Sequence, residues 1–89
     1  MAYQSKDLSA LGYANGFTLW HYRTADPAAV VDDAGYFNAA NRMVRVGDFI
    51  LLNAGQGSTP THGVIVVVGN AGGTVDVTNV TTFGAINTD

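Results

Sequence analysis

The sequence predicts a mainly β domain, a small β-barrel or sandwich with one or two short helices and an extended N-terminal arm. Three observations predict it. Residues 17–24 (FTLWHYRT) are dense in aromatic and β-branched side chains. Residues 62–69 (HGVIVVVG) form an unbroken β-branched run bounded by turn residues. Residues 74–80 (TVDVTNV) alternate with the two-residue period of a half-buried strand. At 89 residues the chain has room for one hydrophobic core. The expected organisation is an arm over 1–16, a β-rich domain over 17–83 and a tail over 84–89.

The arm consists of small and polar residues and ends at Asn15-Gly16, a pair suited to tight turns. Alternation across 17–24 puts Phe17, Leu19, His21 and Arg23 on one face and Thr18, Trp20, Tyr22 and Thr24 on the other. Neither face is purely polar, so both are expected to meet something. Asp26-Pro27 signals a helix start, with Asp26 as a cap for free backbone N–H groups. The helix is expected over about 27–33, stopped by Gly35. Residues 36–43 (YFNAANRM) suit a second short helix or a turn.

Val46-Gly47-Asp48 reads as a turn feeding a central strand at 49–52 (FILL). Residues 55–61 (GQGSTPT) form a loop, and the run at 62–69 implies burial on both faces. Asn70-Ala71-Gly72-Gly73 is a hairpin turn. In the strand that follows, Val75 and Val77 point inward and Asn79 marks the edge. From Thr81 the chain reads as a small-residue tail, with Phe83 and Ile86 as anchors. The expected total is four strands.

Composition narrows the function. Charged residues are 12% of the chain, about half the usual share, against 47% hydrophobic. There is no Glu, and Lys6 is the sole lysine. So lightly charged a chain is expected to bury part of its exterior against a partner. Cysteine is absent, which excludes disulfides and thiolate metal sites. His21 and His62 lie far apart in sequence and outside any metal-ligand spacing. A net charge of −3 argues against nucleic acid, since Arg23, Arg42 and Arg45 are the only arginines and Asp48 sits beside them. No apolar run approaches the roughly 20 residues of a membrane span, and no basic-then-apolar leader pattern opens the chain.

Catalytic arrangements are sparse. Ser58 and His62, with Asp76 or Asp48 as orienter, are the only hydrolase-like set, and no G-x-S-x-G elbow surrounds Ser58. Asp32-Asp33 are adjacent on a short helix, where neighbouring side chains diverge. Gly55-x-Gly57 and the 69–73 glycines open no helix and precede no Lys, so neither suits phosphate. Val46-Gly47-Asp48-Phe49-Ile50 also matches a barrel-strand start of signal-peptidase-like domains, whose Ser–Lys pair has no counterpart here. No catalytic, cofactor or metal residue is expected, and the chain is expected not to be an enzyme. Aromatic residues are favoured at interfaces, although core packing is the default for a lone Trp in a strand. The partner-contact candidates are therefore Tyr3, Leu8, Leu11 and Tyr13 on the arm, with Trp20, Tyr22, Tyr36 and Phe37.

The stretch GFTLWHYRTADPAAVVDDAGYFNAANRMVRVGDFILL, with VDVTNVTTFG further on, resembles a family of small proteins from tailed bacteriophages. The resemblance rests on Leu19-Trp20-His21-Tyr22, Thr24-Ala25-Asp26, Ala34-Gly35-Tyr36-Phe37-Asn38 and Val46-Gly47-Asp48, and covers about residues 16–83. It implies a virion structural component, with capsid cement or decoration the favoured role. A tail or head-fibre component, or a host-surface-binding module using the 55–61 loop, is the alternative. The implied partners are the major capsid protein and other copies of the chain, as a homo-oligomer with a trimer at a capsid symmetry axis the arrangement expected. Neither nucleic acid nor membrane is implied. The implied location is the capsid surface of the virion, and the host cytoplasm during assembly. The resemblance carries no catalytic or ligand-binding residue.

Overall fold

The computed structural model describes residues 3–84 and is mainly β, as the sequence predicts. Six strands form among these residues: β1 (Leu8–Ala14), β2 (Phe17–Arg23), β3 (Phe49–Ala54), β4 (Thr61–Ala71), β5 (Thr74–Val77) and β6 (Thr81–Thr82). They build one mixed sheet in the order β1-β2-β3-β4-β5, with β6 paired to the start of β4. β2 and β3 are parallel and every other pair is antiparallel. Parallel neighbours need a crossover. Residues 24–48 supply it, with the helix α1 (Ala28–Val31) and a 3-10 turn at Asn38–Ala40.

Two strands exceed the four expected, and both come from predicted irregular segments. Much of the 1–16 arm is strand: Leu8–Ala14 pairs with β2 along its length, from Leu8 opposite Tyr22 to Ala14 opposite Phe17. Asn15 and Gly16 make this possible, with φ of 55° and 77°, the left-handed pair that a two-residue hairpin turn requires. The arm's first turn is also tied down, since the Tyr3 ring stacks on Tyr22 with centroids 5.6 Å apart. Part of the predicted tail becomes β6, which fits because position 63 is glycine. A Cβ there would stand 2.5 Å from Val80 Cγ1 and 2.6 Å from the Thr81 carbonyl oxygen. Ile86, the second expected anchor, lies outside the described residues.

One face of the sheet carries the core. Trp20 and Tyr22 on β2, Ile50, Leu52 and Ala54 on β3, Ile65 and Val67 on β4, and Val75 and Val77 on β5 are buried on it. The crossover lays Val31, Phe37, Ala40 and Val44 over them. The face predicted for Trp20 and Tyr22 is thus the inner one. Val75 and Val77 point inward as expected.

The helix is shorter than predicted, and Asp26 does not cap it. Pro27 occupies the cap position without a side-chain hydrogen bond. The Asp26 carboxylate turns into the fold, where the Tyr36 hydroxyl donates to it at 2.6 Å. A half-buried phenol bonded to a buried carboxylate competes well against one backbone N–H at a four-residue helix that water can reach.

Asp48 holds the crossover's other end. Its side chain is buried and accepts three N–H groups: Thr18 N–H on Oδ1 at 3.1 Å, and Trp20 Nε1–H and Arg45 N–H on Oδ2, each at 3.0 Å. Its backbone carbonyl accepts from Val67 N–H at 2.9 Å. One residue therefore joins β2, the end of the crossover, β3 and β4. Asp48→Asn is expected to cost about 3 kcal/mol, because the amide nitrogen would face donors that then go unpaired inside the fold. Urea unfolding followed by fluorescence of the single tryptophan measures this; a loss under about 1 kcal/mol would show that the carboxylate is not the joint.

Candidate docking surface

Among the described residues, no element covers the outer face of the sheet. Strand alternation puts Phe17 and Leu19 of β2, Phe49 and Leu51 of β3, and Val64, Val66 and Val68 of β4 on it. Leu51 stands opposite Val64, and Phe49 opposite Val66. Phe17 and Phe49 meet edge to face, with centroids 5.1 Å apart, and remain more than one-third exposed. The 62–69 run is therefore buried on its inner side only, contrary to the expectation of two covered faces. Beside β2 the outer side of β1 carries Ser9, Gly12 and Ala14, which lie opposite His21, Leu19 and Phe17. These small residues leave a low strip next to the aromatic ridge.

The polar end of this face holds a hydrogen-bonded row. The sheet register brings His21, Asn53 and His62 together from three strands, although the two histidines are far apart in sequence. Asn53 Nδ2–H donates to His21 Nε2 at 2.8 Å, and His62 Nδ1–H donates to Asn53 Oδ1 at 2.6 Å. This pattern uses Nδ1–H of His62 as a donor and the Nε2 lone pair of His21 as an acceptor. His62 keeps Nε2 for an outside donor. The row borders an open groove of about 270 Å³ that Leu51 and Phe83 also line. No pattern along the chain signals this row; only the pairing of β3 with both neighbours creates it. Ser58, the other half of the hydrolase-like set, is exposed in the loop, and its N–H donates to the Gly55 carbonyl.

The two edges of the sheet differ. At β5, Asn38 Oδ1 accepts from Val75 N–H at 2.8 Å and Gly35 N–H donates to the Val75 carbonyl at 3.0 Å. The crossover thus covers that edge. At β1, no described residue pairs with the outer side of the strand. β1 (LSALGYA) holds no charge and no proline. Leu11, at a bulge, is 56% exposed, and Tyr13 is 63% exposed.

Leu11 and Tyr13 are the two candidate contact residues that the fold leaves on the surface. Leu8, Trp20, Tyr22 and Phe37 are buried in the core, and so are unavailable to a partner while the domain is folded. Trp20 is drawn in by Asp48, and Tyr22 and Phe37 by one another (5.2 Å, edge to face). Tyr3 and Tyr36 are half-buried at the margin of that cluster. The Tyr36 hydroxyl belongs to an internal chain: Gln4 N–H donates to Tyr22 Oη, Tyr22 O–H to Tyr36 Oη, and Tyr36 O–H to Asp26, at 3.0, 3.0 and 2.6 Å. The Tyr3 hydroxyl is buried without a hydrogen-bond partner among the described residues. Burial, together with the bonds to Asp26 and Tyr22, pushes the Tyr36 pKa far above the usual tyrosine value. Burial also raises Tyr3, with a smaller push from Tyr22.

Among the described residues, no group of three or more His, Cys, Asp or Glu could hold a metal, and no helix is long and apolar enough to cross a membrane. No protein-family model, no curated protein and no solved structure matches the chain.

The Tyr36 shift fixes a pH dependence. Its folded pKa is raised, so the stability it contributes is fully present below the unfolded tyrosine value of about 10 and is lost as pH rises beyond that. Urea midpoints recorded between about pH 9 and 11.5 should fall more steeply for the native chain than for Tyr36→Phe. Parallel slopes would count against the proton being held in the fold.

Proposed function

We propose that this chain is a bacteriophage capsid cement or decoration protein, which binds the outer capsid surface as a homo-oligomer and stabilises contacts between major capsid proteins. The reading rests on the phage-protein resemblance of residues 16–83, and one observation of the structure supports it above the rest. The β1 edge is uncharged and unpaired among the described residues, while the opposite edge is covered by Gly35 and Asn38. Folded proteins ordinarily protect a strand edge with Lys, Pro or a covering loop. An edge carrying only a bulge, with Leu11 and Tyr13 beside it, suits addition to a neighbour's sheet or groove.

The 44 Å long dimension of the molecule, against 29 and 22 Å for the others, fits a module that bridges two neighbours. The sparse charge fits as well, because desolvating a charge at a contact is costly.

The test is occupancy on purified particles. Quantitative mass spectrometry should find the native chain in many copies per particle. The double variant Leu11→Asp, Tyr13→Asp should lose roughly 2 kcal/mol of docking energy per site, well over tenfold in affinity. Its melting temperature should stay near the native value, since both side chains are on the surface. A few copies per particle would point to a tail or fibre part, and unchanged occupancy of the double variant would remove the edge from the contact.

A further inference from the structure

We infer that the outer sheet face is the self-association surface, and that two copies of this chain pack on each other through it about a twofold axis. This deepens the homo-oligomer part of the proposed function, with a dimer in place of the trimer that the resemblance implies, and names a surface distinct from the β1 edge.

Three features point to a second copy as the occupant. The first is charge. The chain carries −3, so two copies repel in general, yet the centre of this face (Phe17, Leu19, Phe49, Leu51, Val64, Val66) carries no charge. Its flanking charges have opposite signs: Arg23 ends β2 beyond His21, and Asp76 lies on β5 on the side opposite Val75 and Val77. β2 pairs with β3 from Leu19↔Phe49 to Arg23↔Asn53, and β4 runs antiparallel to β3. Arg23 and Asp76 therefore fall at diagonally opposite corners. When two such faces stack with strands crossing near 90°, one of the two standard sheet packings, each Arg23 meets Asp76 of the second copy.

Shape is the second feature. The Phe17–Phe49 ridge stands beside the low strip of Ser9, Gly12 and Ala14, and nothing lies within 4 Å of where a Cβ on Gly12 would be. A ridge and a hollow on one surface suit an isologous contact, in which the same patch serves both partners. The third is satisfaction of polar groups. His21, Asn53 and His62 bond to one another, so the polar end of the face can be covered without stranding the amide.

Size sets how the test is run. Four strands at ordinary spacing, each up to seven residues long, make a face of roughly 19 by 23 Å. That is small for a stable dimer, so association is expected in the micromolar range and must be followed against concentration. Sedimentation equilibrium of the full chain over about 1–100 µM should show a monomer of 9.3 kDa giving way to a dimer. Val68→Asp, at a half-exposed position, should weaken dimerisation at least tenfold. Arg23→Asp alone should weaken it about tenfold, and the double variant Arg23→Asp, Asp76→Arg should recover most of that loss. Both charged residues are exposed, so the swap does not threaten the fold.

The Leu11→Asp, Tyr13→Asp variant should dimerise like the native chain, which separates this surface from the capsid-docking edge. A native chain that stays monomeric at every concentration overturns the inference. So does a charge swap that restores nothing. A monomer whose Val68→Asp variant loses capsid occupancy also overturns it, and would assign the face to the capsid protein.

Discussion

The Asp48 carboxylate takes hydrogen bonds from the start of β2, from the indole of Trp20 and from the last stretch of the crossover, all from a buried position. β2 and β3 are parallel, so no turn joins them and no local chemistry fixes their register. A buried charge without partners would cost several kcal/mol, which means that the fold is stable only when all three donors arrive together. That requirement sets Leu19 opposite Phe49 and His21 opposite Leu51. The outer face spans this parallel seam, so its apolar continuity depends on an interaction on the opposite side of the sheet.

A second buried carboxylate acts at the crossover's other end. Asp26 receives Tyr36, Tyr36 receives Tyr22, and the Asp26 backbone accepts from Gly55 N–H after β3. With both ends fixed, the crossover has one place to lie. It covers the inner face, and Gly35 and Asn38 reach the β5 edge. Twenty-five residues cannot also wrap the far side. The open face and the open β1 edge are what remains once the crossover has been placed.

Much of this was legible in the sequence, and the failures have physical causes. The alternation of 17–24 separated Trp20 and Tyr22 from Leu19 and His21 correctly, because a strand's two-residue period survives any tertiary setting. Val75 and Val77 were placed inward for the same reason. β1 was missed because Leu8–Ala14 is poor in β-branched residues. It is a strand because Asn15-Gly16 folds it onto β2. Asp26 was read as a cap because Asp-Pro is a local signal, whereas Tyr36 is a competitor ten residues away. The aromatic contact candidates drew on a preference that core and interface share. Only burial tells Trp20 from Tyr13. The His21–Asn53–His62 row has no sequence signature, since three strands must pair before it exists.

The low charge of the chain acquires a location in the structure. Asp32, Asp33, Arg42 and Arg45 all lie on the crossover, on the side away from the open face. Asp26 and Asp48 are inside. β1 has no charged residue, and the outer side of β2, β3 and β4 has Arg23 alone, at its end. A merely neutral surface would spread its few charges evenly for solubility. Here Asp32, Asp33, Arg42 and Arg45 share the crossover layer, Lys6 and Asp7 precede β1, and the open face keeps charge only at its corners, Arg23 and Asp76, which leaves its centre without the groups that resist desolvation. That unequal distribution, more than the small total, is what the folded chain adds to its composition: a charged crossover layer on one side of the sheet and an apolar centre on the other.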